Sequence, residues 1–289
     1  MAESPSHRFG QIIGELLEDV LRPRLEFFCT SQGLYLDYQK RKRPARKGKK
    51  VKWEDQYGNT HDLDFVIEHN GSDSKIGQPL AFIEAAWRRY TKHSRNKVQE
   101  IQGAILPLAE RYEWNIPFLG AILAGVFTEG SLDQLKSLGF KVLYFPYDSL
   151  VKSFAKENLD IRFDESTPDD VFKKMATKLD TISKSTRNKI ISNLLSQHES
   201  DVENFISDLK QALSRIITRI TIIPLYGCKN EFYSIESAFE FLDGHSVYEG
   251  SGEFRKYEVY VEFSNGDKLQ AFLENKIRVK EFLKFLVKR

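Results

Sequence analysis

The sequence predicts an α/β protein: a mixed sheet flanked by helices, then a helical segment, then a small C-terminal α+β subdomain. Three observations carry this expectation. Short apolar runs, bounded by turn residues, alternate with helical periods through about residue 154. From about Thr167 to Arg219 only helical periods remain. After Arg219 come a strand, a helix, a hairpin and a closing helix. The expected divisions are 1–165, 166–218 and 219–289.

Phe9, Ile12, Ile13, Leu16, Leu17, Val20, Leu21 and Leu25 recur at three- and four-residue spacing, so Arg8 to Phe28 reads as an amphipathic helix. Pro23 should bend it or end its regular part. A short apolar strand, Gly33 to Asp37, follows. Val51 to Glu54 and His61 to Glu68 read as strands around the turn Gln56-Tyr57-Gly58-Asn59. A second turn, Asn70 to Asp73, leads to the strand Pro79 to Ala85. Val98, Ile101, Ile105, Leu108 and Ala109 give Thr91 to Tyr112 one apolar helical face, with Pro107 inside it. Then come the strand Phe118 to Phe127, the helix Ser131 to Leu138 with Gly139 as its stop, and the strand Lys141 to Phe145. The helical segment resolves into Pro168 to Leu179, Lys184 to Leu195 and Ser200 to Ile217. The last part holds the strand Ile220 to Leu225, the helix Ser234 to Leu242, and a hairpin of Tyr257 to Phe263 with Lys268 to Leu273 around Asn265-Gly266. Val279 to Val287 is a closing helix.

Composition excludes several classes. With 41% apolar residues over 289 positions the chain can fill a core, so global disorder is out. Cys29 and Cys228 form no CxxC pair, which argues against a disulfide framework or a cysteine zinc site and fits a reducing, cytoplasmic setting. Glu3, Arg8, Glu15, Glu18 and Asp19 interrupt any export-signal core near the start. The most apolar stretch, Ile116 to Phe127, is too short to span a bilayer, so no membrane partner is expected. The histidines show no HxxxH or HxH spacing. No GxSxG, Walker or Rossmann glycine pattern occurs, so no nucleotide cofactor is expected. Gly10 and Gly14 follow no strand and read as places of close helix packing.

The net charge of +2 hides an uneven distribution. Between Gln39 and Lys52 stand Lys40, Arg41, Lys42, Arg43, Arg46, Lys47, Lys49, Lys50 and Lys52, with no acid among them. Pro44 and Gly48 disfavour a helix there, so this reads as a mobile basic loop that contacts DNA phosphates. Asp64 opens one apolar strand and Glu84 ends another. If the two strands lie side by side, their carboxylates can hold a hard divalent ion such as Mg²⁺, which takes oxygen ligands and engages phosphate. Asp62 lies two residues from Asp64 on the same strand face and is a second candidate, or the true first one. After Glu84 come Arg88, Arg89, Lys92, His93, Arg95 and Lys97, with Trp87 and Tyr90 interleaved. Cations beside paired carboxylates suit a site that cuts phosphodiesters. Trp53 and Trp87 read as core aromatics.

The order helix, strand, Asp-led strand, Glu-bearing strand, helix, strand, helix, strand over Arg8 to Phe154 resembles the PD-(D/E)XK nuclease core. The specific part is His61-Asp62-Leu63-Asp64-Phe65-Val66-Ile67 followed by Phe82-Ile83-Glu84-Ala85-Ala86. The size, the basic loop and the C-terminal region look most like a type II restriction endonuclease. The resemblance implies a restriction-endonuclease-like sheet, Mg²⁺ held by Asp64 and Glu84, double-stranded DNA as substrate and a homodimer. The family's Lys two residues after the second acid is Ala86 here. Lys97 and Lys92 on the following helix are the candidates to replace it. Glu100 on that helix, and Glu15 or Glu18 on the first helix with Glu15 slightly favoured, are further metal-ligand candidates. Arg88, Arg89, Lys92, Arg95 and the loop basics would position the DNA backbone. Two other readings share the fold: a catalytically silent DNA binder, which Ala86 suggests, and a structure-specific repair nuclease.

Overall fold

The protein is described from a computed structural model covering residues 4–164, 166–225, 227–245 and 254–287; the side chains of residues 91–93 lie outside that description. The chain divides into two compact units, Met1–Glu113 with Pro117–Leu209, and Trp114–Ile116 with Lys210–Arg289. The helical segment expected to stand apart, 166–218, is therefore mostly part of the first unit. The reason is local: its apolar faces need a partner, and α5 (Asp169–Thr181) and α6 (Lys184–Gln197) find it in α1 (Pro5–Ser31).

The first unit is built on a mixed sheet of five strands. In chain order these are β1 (Tyr35–Tyr38), β4 (Phe65–His69), β5 (Gln78–Arg88), β6 (Phe118–Gly125) and β7 (Lys141–Pro146). They lie side by side in that order; β1, β4 and β5 pair antiparallel, and β5, β6 and β7 parallel. A separate hairpin, β2 (Val51–Glu54) with β3 (Thr60–Leu63), precedes β4. Helix α2 (Thr91–Arg111) buries Val98, Ile101, Ile105 and Leu108 against Val66, Phe82, Ala86, Ala121 and Leu123 of the sheet. Helix α1 packs on β5 and β1, and α3 (Glu129–Ser137) and α4 (Tyr147–Ala155) flank β7. The helix α4 had no counterpart in the sequence reading.

Pro23 does not end α1, which runs to Ser31. A helix-interior proline costs about 3 kcal/mol. That is small beside the stripe from Phe9 to Cys29 that the helix buries on both sides of it. The expected strand His61 to Glu68 is broken at Asp64 into β3 and β4. The strand Pro79 to Ala85 is longer than expected, because β6 pairs with it from Ala81 through Arg88.

The second unit follows from α7 (Glu199–Leu213), which crosses the division. It is an antiparallel sheet of β8 (Ile217–Leu225), β9 (Asn230–Phe232), β10 (Lys256–Phe263) and β11 (Lys268–Leu273), in the order β11-β10-β8-β9. Helices α8 (Ile235–Gly244) and α9 (Lys276–Val287) bury Ala238, Leu242, Phe282 and Leu283 with the inward strand residues Ile222, Val259 and Val261. Among the described residues no helix is long and apolar enough to cross a membrane.

The basic loop is ordered around a buried charge. Arg43 is 2% exposed and donates to Asp37 at 2.7 Å and to both oxygens of Glu68 at 2.7 and 2.8 Å. It also donates to the carbonyls of Ser72 and Lys75, and its guanidinium stacks 4.3 Å from the Tyr35 ring. Arg46 joins at Asp37, beneath Trp53. Removing one partner of a buried pair leaves an uncompensated charge, which costs about 3–5 kcal/mol. Arg43→Met should therefore lower the urea-unfolding free energy by about that amount, and Arg43→Lys should fail to restore it because ammonium lacks the bidentate fork. Equilibrium urea denaturation followed by circular dichroism checks this.

Candidate active site

The register of β4 and β5 sets the site. Phe65 pairs with Ile83 and Val66 with Phe82, so one step further along the ladder Asp64 faces Glu84. Asp64 sits where β3 and β4 part, and its carboxyl turns in to β5. There Oδ2 accepts the Ala85 N–H at 2.7 Å and Oδ1 accepts the Gln39 side-chain amide at 3.1 Å. Glu84 is 8% exposed and shares a hydrogen bond with Asp64. Its Oε1 has no hydrogen-bond partner. Burial raises both acids above the usual carboxylate range; for Glu84 the rise is large, and the Asp64 charge adds to it. Such a pair titrates as a unit, because the second carboxyl ionises against the charge of the first.

Two cations oppose this, Lys40 at Asp64 alone and Lys97 at both acids. The Lys97 ammonium on α2 pulls both acids back down. Ala86 shares the α2-facing side of β5 with Glu84, and its methyl is buried in the core beneath α2. Lys97 reaches the pair from that helix. Lys97 also contacts Glu100 at 3.3 Å, and Glu100 contacts Arg88 at 3.5 Å. Glu100 is 58% exposed and tethers cations rather than joining the acid pair.

Several expected ligands are placed elsewhere. Asp62 does not join Asp64: it is exposed and pairs with Lys50 at 2.5 Å, beside the start of β2. Of the two first-helix acids, Glu18 rather than Glu15 lies by the site. Glu18 is shifted up, first by burial and then by Asp64, whereas Glu15 is 40% exposed. The Lys40 ammonium links the two, at 3.4 Å from Glu15 and 3.3 Å from Glu18.

The phosphate-contact set is also reduced. Arg43 and Arg46 are interior ligands of Asp37 and Glu68, not surface cations, and the loop they anchor is held rather than mobile. Arg41 pairs with Asp73 at 2.7 Å, and Lys50 is taken by Asp62. Lys42, Lys47, Lys49 and Lys52 stand exposed. Arg89 is sandwiched 4.2 Å from the Tyr90 ring and 4.1 Å from Phe172. Arg88 is half-buried and Arg95 exposed. The Lys92 side chain lies outside the described residues. Trp53 and Trp87 are buried as expected. Gln39 was not singled out from the sequence, since nothing local marks a glutamine 25 positions before the aspartate it holds.

Two hard carboxyl oxygen donors at one point, one of them unpartnered, suit a divalent cation of the Mg²⁺ kind. Among the described residues no third His, Cys, Asp or Glu joins them closely enough to form a metal-holding group. Mg²⁺ commonly keeps several waters and one or two carboxylates, so two protein ligands are within its habit.

No protein-family model matches the chain, and no curated protein matches it. A solved structure of a protein of unknown function, AF1548, aligns over 64% of this chain and 99% of its own, at 10% identity and a TM-score of 0.30. A likeness that slight carries no argument about fold or activity.

The raised Glu84 carboxyl has a thermodynamic consequence. The folded state binds its proton more tightly than the unfolded chain does, so stability falls as pH rises from the ordinary carboxyl range through the folded value. Glu84→Gln removes that burden. The variant should melt higher than the wild type at pH 8, by about 2 °C or more for each kcal/mol relieved. The gain should shrink toward pH 4. Melting curves across that range check the sign.

Proposed function

We propose that this chain is a Mg²⁺-dependent endonuclease that hydrolyses DNA phosphodiesters on a restriction-endonuclease-like core. One observation carries the reading: Asp64 and Glu84 meet across adjacent strands with the Lys97 ammonium facing both. The mixed five-stranded sheet with helices on both faces is compatible with that core.

Asp64 and Glu84 would hold the cation, which supplies Lewis-acid stabilisation of the phosphate's developing charge. The remaining work belongs to side chains. Gln39 and the Ala85 N–H keep the Asp64 carboxylate turned to the site. Lys97 Nζ positions the attacking water and stabilises negative charge on the phosphate oxygens. Water oxygen attacks phosphorus and gives up a proton to solvent, the bond to the 3′ oxygen breaks, that oxygen takes a proton from solvent and leaves as a hydroxyl, and the phosphate stays on the 5′ oxygen. Lys42, Lys47 and Lys49 steady the backbone through salt-sensitive contacts. Cleavage of both strands of a duplex would require two such sites, hence a homodimer.

The silent-binder reading rests on Ala86. The Lys97 ammonium, which lowers both acids from α2, weighs against it. Incubating the protein with unmethylated phage DNA and Mg²⁺ should yield discrete fragments. Asp64→Ala should abolish cutting. Lys97→Ala should slow it by about 10²–10⁴-fold, the usual worth of a positioned acid–base group, while DNA binding in EDTA persists. An intact substrate with the wild type, alongside salt-sensitive DNA binding, would overturn the restriction-type reading in favour of the silent binder or of a nuclease whose substrate is modified or branched DNA.

A further inference from the structure

The sheet of the second unit ends on an open strand. In the order β11-β10-β8-β9, β11 pairs with β10 on one side, and among the described residues no strand pairs with its other side. The Phe263 N–H donates to the Asp267 carbonyl at 2.9 Å, which makes these two a hydrogen-bonded pair. Bonded pairs alternate along an antiparallel ladder, so Leu269, Ala271 and Leu273 bond to β10. Lys268, Gln270 and Phe272 therefore turn their N–H and C=O groups to the outer edge. Their side chains are exposed, Phe272 at 54%.

Folded proteins usually blunt such edges. The opposite edge, β9, is three residues long, and Lys229 and Arg219 bridge its Glu231 at 2.6 and 3.6 Å. In the first unit, the edge strand β1 has four residues and the edge strand β7 closes on Pro146. Strand β11 has six residues, no proline and no register shift against β10. Lys268 opens it, Glu274 follows it, and Leu269-Gln270-Ala271-Phe272-Leu273 lie between, uncharged. Lys268 is loosely held: its Nζ is 3.7 Å from Glu262 and its side chain is 74% exposed. Glu274 is exposed as well. Cation, uncharged run and anion in that order are complementary to the same strand running the other way.

We propose that β11 pairs antiparallel with β11 of a second copy of this chain, joining the two four-stranded sheets into one. A twofold axis at Ala271 sets Leu269 opposite Leu273, Gln270 opposite Phe272, and Lys268 opposite Glu274 of the second copy. The outward N–H and C=O groups then bond in pairs, and symmetry makes the Lys268–Glu274 contact twice. Neighbouring registers lose that contact. With the axis at Gln270, Lys268 faces Phe272; with the axis at Phe272, Lys268 faces Lys276, like against like. A lysine alone would guard the edge, but the twofold brings an acid to it and turns repulsion into attraction. The inference rests on the nuclease reading only for its use: two joined copies carry two acid pairs to one duplex.

A contact between two short strands is small beside the roughly 1,200–2,000 Å² of a stable complex, so the dimer should be of micromolar strength. Sedimentation equilibrium of the full chain at about 1–100 µM, without DNA or Mg²⁺, tests it. The wild type should pass from monomer to dimer across that range. Gln270→Pro removes an N–H that points away from β10, so it should weaken the dimer about tenfold or more while leaving circular dichroism unchanged. Lys268→Glu and Glu274→Lys each set like charges together twice and should each weaken it about tenfold. The double reversal should return to within about threefold of the wild type. A wild type that stays monomeric throughout, or a dimer indifferent to Gln270→Pro, overturns the proposal. So do single reversals without effect, or a double reversal that fails to rescue them. A dimer with the expected responses that cuts no DNA upholds the interface and refutes the nuclease reading. A monomer that cuts both strands refutes the interface alone.

Discussion

The meeting of Asp64 and Glu84 inside the sheet is the interaction on which the rest of this structure turns. Two carboxyls at opposed positions of adjacent strands, away from water, resist ionising together. The fold accommodates them with fixed donors: the Ala85 N–H, the Gln39 amide and the Lys97 ammonium. None of these removes the penalty fully, since Glu84 keeps an unpartnered oxygen. A sheet carrying such a pair without use would be more stable with amides in its place. Groups that weaken a fold are where chemistry is expected, because a cation or substrate can satisfy what the protein leaves open.

The charge run before β2 illustrates how one composition serves two ends. Arginine went inward and lysine outward. Arg43 and Arg46 have planar forks that satisfy buried Asp37 and Glu68 together with nearby carbonyls, which a lysine could not do. Lys42, Lys47 and Lys49 stay solvated at the surface. Through Gln39 and Lys40 the same loop reaches Asp64 and Glu18, so the structural arginines also hold the start of the site in place.

Much of this was legible in the sequence, for identifiable reasons. The stripe from Phe9 to Leu25 is periodic, and the runs Phe65 to Ile67 and Leu80 to Ile83 are continuously apolar, as strands buried on both faces are. The pairing of Asp64 with Glu84 was readable because a single connection, residues 70–77, joins two consecutive strands, which can then lie side by side. What stayed hidden depends on contacts distant in sequence. Arg43 looks like any loop cation until Asp37 and Glu68 close around it. Glu18 and Glu15 are both beside the apolar stripe, and only the angle of α1 against the sheet separates them. The same holds for Gly14, whose empty surroundings no local pattern announces.

The most direct measurement of the central claim is a calorimetric titration of Mn²⁺ into the protein in two buffers of different ionisation enthalpy, repeated with Asp64→Asn. A cation that enters between two carboxyls whose affinity for protons is raised competes with those protons, so binding should release protons, more of them as pH falls toward the ordinary carboxyl range, and be lost in the variant. Absence of binding by the wild type, or binding that survives Asp64→Asn unchanged, would contradict the assignment of this pair as the metal site.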